Sequence, residues 1–208
     1  MKKLTEQYIE SLGSDSQLVF GGTFEGGYHI QQIPDEITPC INDIINSKVK
    51  IENFLDIGSA AGGSTFLFNE VFNLKHIVII DDNQHPKHVH RARVIKTIKK
   101  ELIRKMGSIT EVIGNSHDEE VVKAIRQLKR KYDVILLDAG HDYDDILMDE
   151  KNYGGLLNSG GFLIVHDVEI FDSARLAFDK ISKMKRYKDS KKYISKTHTP
   201  CGIGVLRK

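Results

Sequence analysis

The stretch Phe54-Leu55-Asp56-Ile57-Gly58-Ser59-Ala60-Ala61-Gly62-Gly63-Ser64-Thr65 decides the fold. Its opening residues finish a strand predicted over Ile51 to Ile57. The small residues then turn the chain into a helix predicted to reach about Phe72. A strand that runs through a glycine-rich turn into a helix is the start of a βαβ unit. Glycines there let backbone approach a ligand closely, and the helix N-terminus that follows presents free N–H groups to it.

The same rhythm continues downstream. Strands are predicted over Ile77–Ile80, Thr110–Ile113, Asp133–Leu137 and Phe162–His166. Between them lie a long basic helix from near Pro86 to about Lys105, a helix from Glu119 to Lys129, and one from the Asp138-Ala139-Gly140-His141 loop to about Leu157. A helix over Ser173–Met184 leads to two short strands, Lys192–Ser195 and Gly202–Leu206. Upstream, a short helix over 3–11 precedes a polar, glycine-rich loop over 13–34, and Pro34 opens a helix through about Ile45. The reading is α/β: a Rossmann-like, seven-stranded, mostly parallel sheet with helices on both faces. Residues 1–50 form a helical and loop extension covering the active site, and residues 51–208 form the cofactor-binding domain. Ligands of such open sheets lie beyond the carboxyl ends of the strands. Those ends carry Asp56, Asp81, Asn115, Asp138, His166 and Asp167.

Composition bounds the class. A chain of 208 residues with 40% apolar and 28% charged residues is an ordinary single globular domain. The apolar runs are strand-sized, and the N-terminus turns polar at once, so neither a membrane span nor a signal peptide is expected and the location is read as cytoplasmic. Cys40 and Cys201 are then expected as reduced thiols. A net charge of +1 excludes a global bias toward nucleic acid. Charge is uneven, however: Lys87 to Lys105 holds eight bases and one acid, and Lys180 to Lys192 holds seven bases and one acid. These runs read as solvated helix faces or as a surface for a polyanion.

The glycine turn narrows the cofactor. A dinucleotide fingerprint needs G-x-G-x-x-G, its middle glycine making room for the pyrophosphate. Here the frame reads Gly58, Ala60, Gly63, and Ala60 adds a methyl where the pyrophosphate presses closest. S-adenosylmethionine carries no phosphate and tolerates that turn. Asp81 follows Gly58 by 23 residues, the spacing of an acid that accepts ribose hydroxyls, with Asp82 as its competitor. Together these residues indicate an adenosine-containing ligand without fully separating S-adenosylmethionine from NAD.

Phe54-Leu55-Asp56-Ile57-Gly58-Ser59 resembles the first motif of class I methyltransferases. The block from Asp133 to Tyr143, with Asp138 and His141, and the run from Gly160 to Asp167 resemble small-molecule O-methyltransferases. The group they are most similar to is methyltransferase family 24, with macrocin and catechol O-methyltransferases more distant. The resemblance runs from about Gln31 to the C-terminus, and the closing Gly202-Ile203-Gly204-Val205-Leu206-Arg207 looks like the antiparallel last strand of that superfamily. It implies S-adenosylmethionine as cofactor, Asp56 near the methionine amino group, Gly58, Ser59 and Gly62 in the cofactor turn, and Asn115 and Ser116 beside the adenine.

Methyl transfer is an in-line displacement at a carbon activated by the sulfonium. The protein must align an acceptor oxygen and take its proton, and an imidazole titrating near ~6.5 suits that task. His141, three residues after Asp138, is the candidate base. In catechol-type enzymes the equivalent loop starts with a metal-binding aspartate and carries a base three residues on. That likeness implies Asp138 and Asp167 as ligands of Mg²⁺ or another divalent cation. The pattern departs where Val168 replaces an asparagine, and His166 is a poor Mg²⁺ ligand better suited to a transition metal. His85, His88 and His90 have spacings that do not share one helix face. Tyr28 and Gln31 are candidates to line the active site.

The leading expectation is an O-methyltransferase acting on a small hydroxylated molecule, such as a sugar or natural product, with no nucleic-acid or membrane partner; a homodimer is left open. The other readings are a methyltransferase of RNA or another polyanion, an NAD-dependent oxidoreductase, and a non-catalytic S-adenosylmethionine-binding protein.

Overall fold

The computed structural model describes residues 3–13, 28, 30–84, 89–106 and 109–208. Seven strands form one sheet: β1 (Asn53–Ile57), β2 (His76–Asp81), β3 (Ile109–Ile113), β4 (Tyr132–Leu137), β5 (Leu157–His166), β6 (Asp189–Tyr193) and β7 (Ile203–Arg207). Their order is β3-β2-β1-β4-β5-β7-β6. β7 runs antiparallel to both its neighbours, and the pairings from β3 through β5 are parallel. The chain winds outward from β1 to β3, then returns to build the other half from β4. The crevice where the two directions part lies between β1 and β4.

Helices α1 (Glu6–Ser11), α2 (Pro34–Asn46), α3 (Gly63–Phe72), α4 (Val89–Met106), α5 (Glu119–Gln127), α6 (Tyr143–Tyr153) and α7 (Asp172–Ile181) complete the chain. Their starts follow local chemistry. Thr5 caps α1 by accepting from the Tyr8 amide at 3.3 Å, and α2 opens with Pro34, whose missing N–H costs nothing in a first turn. Acids sit in the first turns of α2, α5 and α6, where the helix dipole favours them.

Strand alternation sends side chains to two cores. On one face Leu55, Ile57, Ile135 and Leu163 pack with Ile125 of α5, Ile146 of α6 and Phe178 of α7. On the other, Phe54, Ile77, Val134 and Ile164 pack with Ile41 and Ile44 of α2 and Phe68 of α3. Each such buried side chain contributes about 1.5–3 kcal/mol. Residues 1–50 thus supply α1 and α2 to one face of the sheet, as well as a segment at its carboxyl end. At the opposite end Asp133 accepts from the amides of Glu52 and Asn53, each at 2.9 Å, and from the side chain of Asn158 at 2.6 Å. One carboxylate therefore ties the starts of β1, β4 and β5.

The element bounds differ most from expectation in two places. β5 begins at Leu157 rather than Phe162, after α6 stops at Tyr153 and a 3-10 turn spans Gly154–Leu156. Gly160, at φ 80, lets the strand absorb a register shift against β4 between Tyr132 and Val134. β6 begins at Asp189 rather than Lys192: its first three residues are exposed at the sheet edge, so no apolar alternation marked them. His85 and His88 lie outside the described residues, as does the side chain of His90. Among the described residues no helix is long and apolar enough to cross a membrane.

Candidate active site

A cleft of about 590 Å³ opens at the carboxyl ends of the strands, within the usual range for small-molecule sites. The turn after β1 forms its floor. Gly58 adopts φ 89, Ala60 φ 45 and Gly62 φ 84. A methyl on Gly58 would lie 2.5 Å from Ala139 Cα and closer still to the Asp138 carbonyl. The glycine is required because two turns, after β1 and after β4, touch through their backbones there. Asp81, at the end of β2, accepts from the Ala60 amide at 2.7 Å, with the Ser59 hydroxyl 3.4 Å away and the Asn83 amide at 2.7 Å. Its competitor Asp82 is exposed and turns its carboxylate to the Gln84 amide at 2.8 Å. Both acids line the cleft, but Asp81 is the one fastened to the glycine turn.

Of the expected residues, Gly58, Asp81, Asp82, Asn115, Ser116, Asp138, His141 and Asp167 line the cleft, as does Gln31. Ser59 and Asp56 are buried behind it, and Gly62 caps α3. Tyr28 stacks on Phe66 at 4.1 Å between ring centroids and bonds Lys105 through its hydroxyl. Asp56 is fully buried, with one oxygen on the Thr65 hydroxyl and the other without a partner. Burial, assisted by the nearby Asp138 and Asp81 carboxylates, pushes its pKa up to about 7.

At the far side four titratable side chains form a run. His166 Nδ1 lies 3.0 Å from Asp138 Oδ1 and 3.2 Å from Asp167 Oδ1. Asp138 Oδ2 accepts from Gln32 Nε2 at 3.2 Å. Asp167 Oδ2 is 3.3 Å from His141 Nδ1. The His141 ring stacks on Phe171, 4.8 Å between centroids and 8° from parallel, and remains partly exposed. Burial opposes the charge of His166, but Asp138 and Asp167 outweigh it and raise its pKa well above the ordinary value. Burial likewise opposes ionisation of Asp167, while His166 and His141 hold its pKa below the usual carboxylate range. Asp167 has φ 62, an unusual backbone for a residue other than glycine, and such conformations gather at functional sites.

Some lining residues carried no signal beforehand. His117 follows Asn115 and Ser116 and sits 3.3 Å from Asp149, a buried acid whose pKa burial pushes up to about 6. Its position after a strand-ending turn is the only cue the sequence offered. Cys201 enters because β7 returns beside β5, a pairing visible only in three dimensions. Cys40 and Cys201 are both free and buried. Within the basic run over 87–105, Lys99 is buried on Glu111 at 2.9 Å and on Asn83 at 3.2 Å, so it is not part of a free face.

Three donors, from His166, Asp167 and Cys201, come within 4.8 Å of one another. Imidazole, carboxylate and thiol form a borderline-soft set, unlike the all-oxygen shell that Mg²⁺ requires. Burial and the carboxylates of Asp167 and Glu36 push the Cys201 thiol up, away from the thiolate that binds metal. Asp138 and Asp167 have each of their oxygens against a protein nitrogen. The residues present do not fit Mg²⁺.

Known proteins share this fold. Among solved structures, the O-methyltransferase TomG from Streptomyces achromogenes, involved in tomaymycin synthesis and in complex with SAM, superposes with TM-score 0.60 at 11% identity, over 82% of this chain and 79% of that one. An O-methyltransferase from Bacillus cereus in complex with SAH gives TM-score 0.54 at 17% identity, over 79% and 78%. An rRNA methylase from Streptococcus thermophilus gives 0.59 at 12% identity, over 83% and 96%. These likenesses share the fold across different acceptors. A curated relative, uncharacterized protein R132 of Acanthamoeba polyphaga mimivirus, is 23% identical over 155 residues, 73% of this chain, and the match spans 63% of that relative's length. Residues 55–168, from the middle of β1 to just past β5, match the methyltransferase-domain family, and with that span holding the glycine turn, Asp81, Asp138, His141 and Asp167, the chain belongs to methyltransferase family 24.

Proposed function

We propose that this chain transfers a methyl group from S-adenosylmethionine to a hydroxyl of a small molecule. Asp81 would accept the ribose hydroxyls, Asn115 and Ser116 would border the adenine, and the unpartnered oxygen of Asp56 would face the methionine ammonium through the turn. When bound, the cofactor supplies an electrophilic methyl on a sulfonium.

The observation that carries the O-methyl reading is the His141–Asp167 pair. Asp167 lies against His141 Nδ1 at 3.3 Å, which favours the tautomer with its proton there and leaves Nε2 to take a proton from an acceptor hydroxyl. Phe171 fixes the ring plane by stacking. Gln31, Ile170 and Phe171 would shape the space for the acceptor. A base so placed contributes about 10²- to 10⁴-fold, and alignment of the two reactants contributes about 7–11 kcal/mol.

The test is a thermal-shift panel with SAM, SAH, NAD and NADP. SAM or SAH at 100 times its dissociation constant should stabilise by about 2.7 kcal/mol. Stabilisation by NAD with none by SAH would overturn the reading. With an acceptor in hand, His141→Ala should keep SAH affinity while turnover falls about 10²- to 10⁴-fold; unchanged turnover would remove His141 from the role.

A further inference from the structure

We propose that His166 takes the place of a divalent cation in this site, so that the acidic pair Asp138 and Asp167 is closed by a side chain of the protein itself. The inference rests on the methyltransferase reading above and concerns how that site is held together. Two carboxylates facing one cleft need a positive or hydrogen-donating group between them. In a metal-dependent arrangement a cation would bridge them with water and acceptor oxygens completing its shell. Here one atom, His166 Nδ1, meets an oxygen of each acid, at 3.0 Å and 3.2 Å.

The remaining oxygens are also engaged: Asp138 Oδ2 by Gln32 at 3.2 Å and Asp167 Oδ2 by His141 at 3.3 Å. A cation entering between the acids would have to push out His166, which is buried at the end of β5. Its backbone is fixed by pairing with Ile203 of β7. The side chains therefore run from Gln32 through Asp138, His166 and Asp167 to His141, linking the N-terminal segment to the candidate base without an ion. In this arrangement the acceptor hydroxyl is aligned by the walls of the cleft and deprotonated by His141, with no metal-bound alkoxide.

The experiment titrates Mn²⁺ alone into wild type, with and without saturating SAH, and follows the free-ion signal by electron paramagnetic resonance. Wild type should show no saturable site, whereas His166→Ala, which opens the space between two carboxylates, should gain one that Mg²⁺ competes for. A saturable Mn²⁺ site in wild type that disappears in Asp138→Asn or Asp167→Asn would overturn the proposal. So would Zn²⁺ retained by wild type and lost in Cys201→Ser, or a folded His166→Ala protein that binds no Mn²⁺. The SAH thermal shift verifies folding of each variant, and His166→Ser replaces the alanine variant if that one fails to fold. A wild type that ignores SAH sinks the methyltransferase reading and leaves the Mn²⁺ result to be judged separately.

Discussion

Placing a methyl on Gly58 would force apart the two turns that meet beneath the cleft, at a backbone φ of 89. Gly58→Ala should cost about 1–3 kcal/mol or more in a urea melt, and should weaken SAH binding more than the stability loss alone explains. Asp56 gives a second residue-scale test. Its folded pKa near 7 lies above the unfolded value of about 3.9. Between those values the folded state holds the extra proton, so this contribution to stability is complete below the unfolded pKa and is lost as pH rises through 7. A ligand ammonium reverses the preference by favouring the carboxylate. SAH binding at pH 7 should then release a fraction of a proton, read as a dependence of calorimetric enthalpy on buffer ionisation enthalpy, and Asp56→Asn should abolish that dependence. The residues legible in advance were those whose type is tied to a turn or strand end: Gly58, Asp81, Asp138 and His141. His166 was legible as a strand-end histidine, but its placement between two acids was not, because that depends on the rotamers of three side chains on two strands.

Elements were readable where hydrophobic period and punctuation agreed. β1, β2, β3 and β4 fall within a residue or two of expectation because Gly, Asp and Asn stop them, and α3, α5 and α7 follow the helical spacing of their buried residues. The early start of β5 was hidden by Gly160 and Gly161, which read as a turn from sequence yet continue the strand across a register shift. The edge strand β6 was hidden by its exposed, charged residues. A test at this scale concerns Asp133, whose carboxylate gathers the amides of Glu52 and Asn53 and the Asn158 side chain. Asp133→Ala leaves those donors unpaired at the junction of three strands and should cost about 2–4 kcal/mol, given about 1–3 kcal/mol for each unsatisfied buried group. The cleft lies at the other end of the sheet, so SAH affinity of the folded variant should change little.

At the scale of the whole molecule, α1 and α2 pack into the same core as the sheet. Ile37, Cys40, Ile41 and Ile44 of α2 share a core with Phe54, Phe68 and Ile164. Glu36 binds the amides of Ser195, at 2.8 Å, and Gly202, at 2.9 Å, joining α2 to the segment before β7. A fragment beginning at residue 51 should therefore expose an apolar sheet face, bind a hydrophobic dye and show no cooperative thermal transition; a sharp transition would contradict this. Sequence patterning could not reveal the union, since the helical period of α2 marks an apolar face without saying what covers it.

The contact between Gly58 and the Asp138 backbone has one more consequence. Because the turn after β1 and the turn after β4 brace each other, neither is free to drift in sequence without disturbing its neighbour. Diversification toward new acceptors would have to come from the rim, where Gln31 and Ile170 line the cleft. Divergent versions of this protein should differ there first, carrying an unchanged engine beneath a changing mouth.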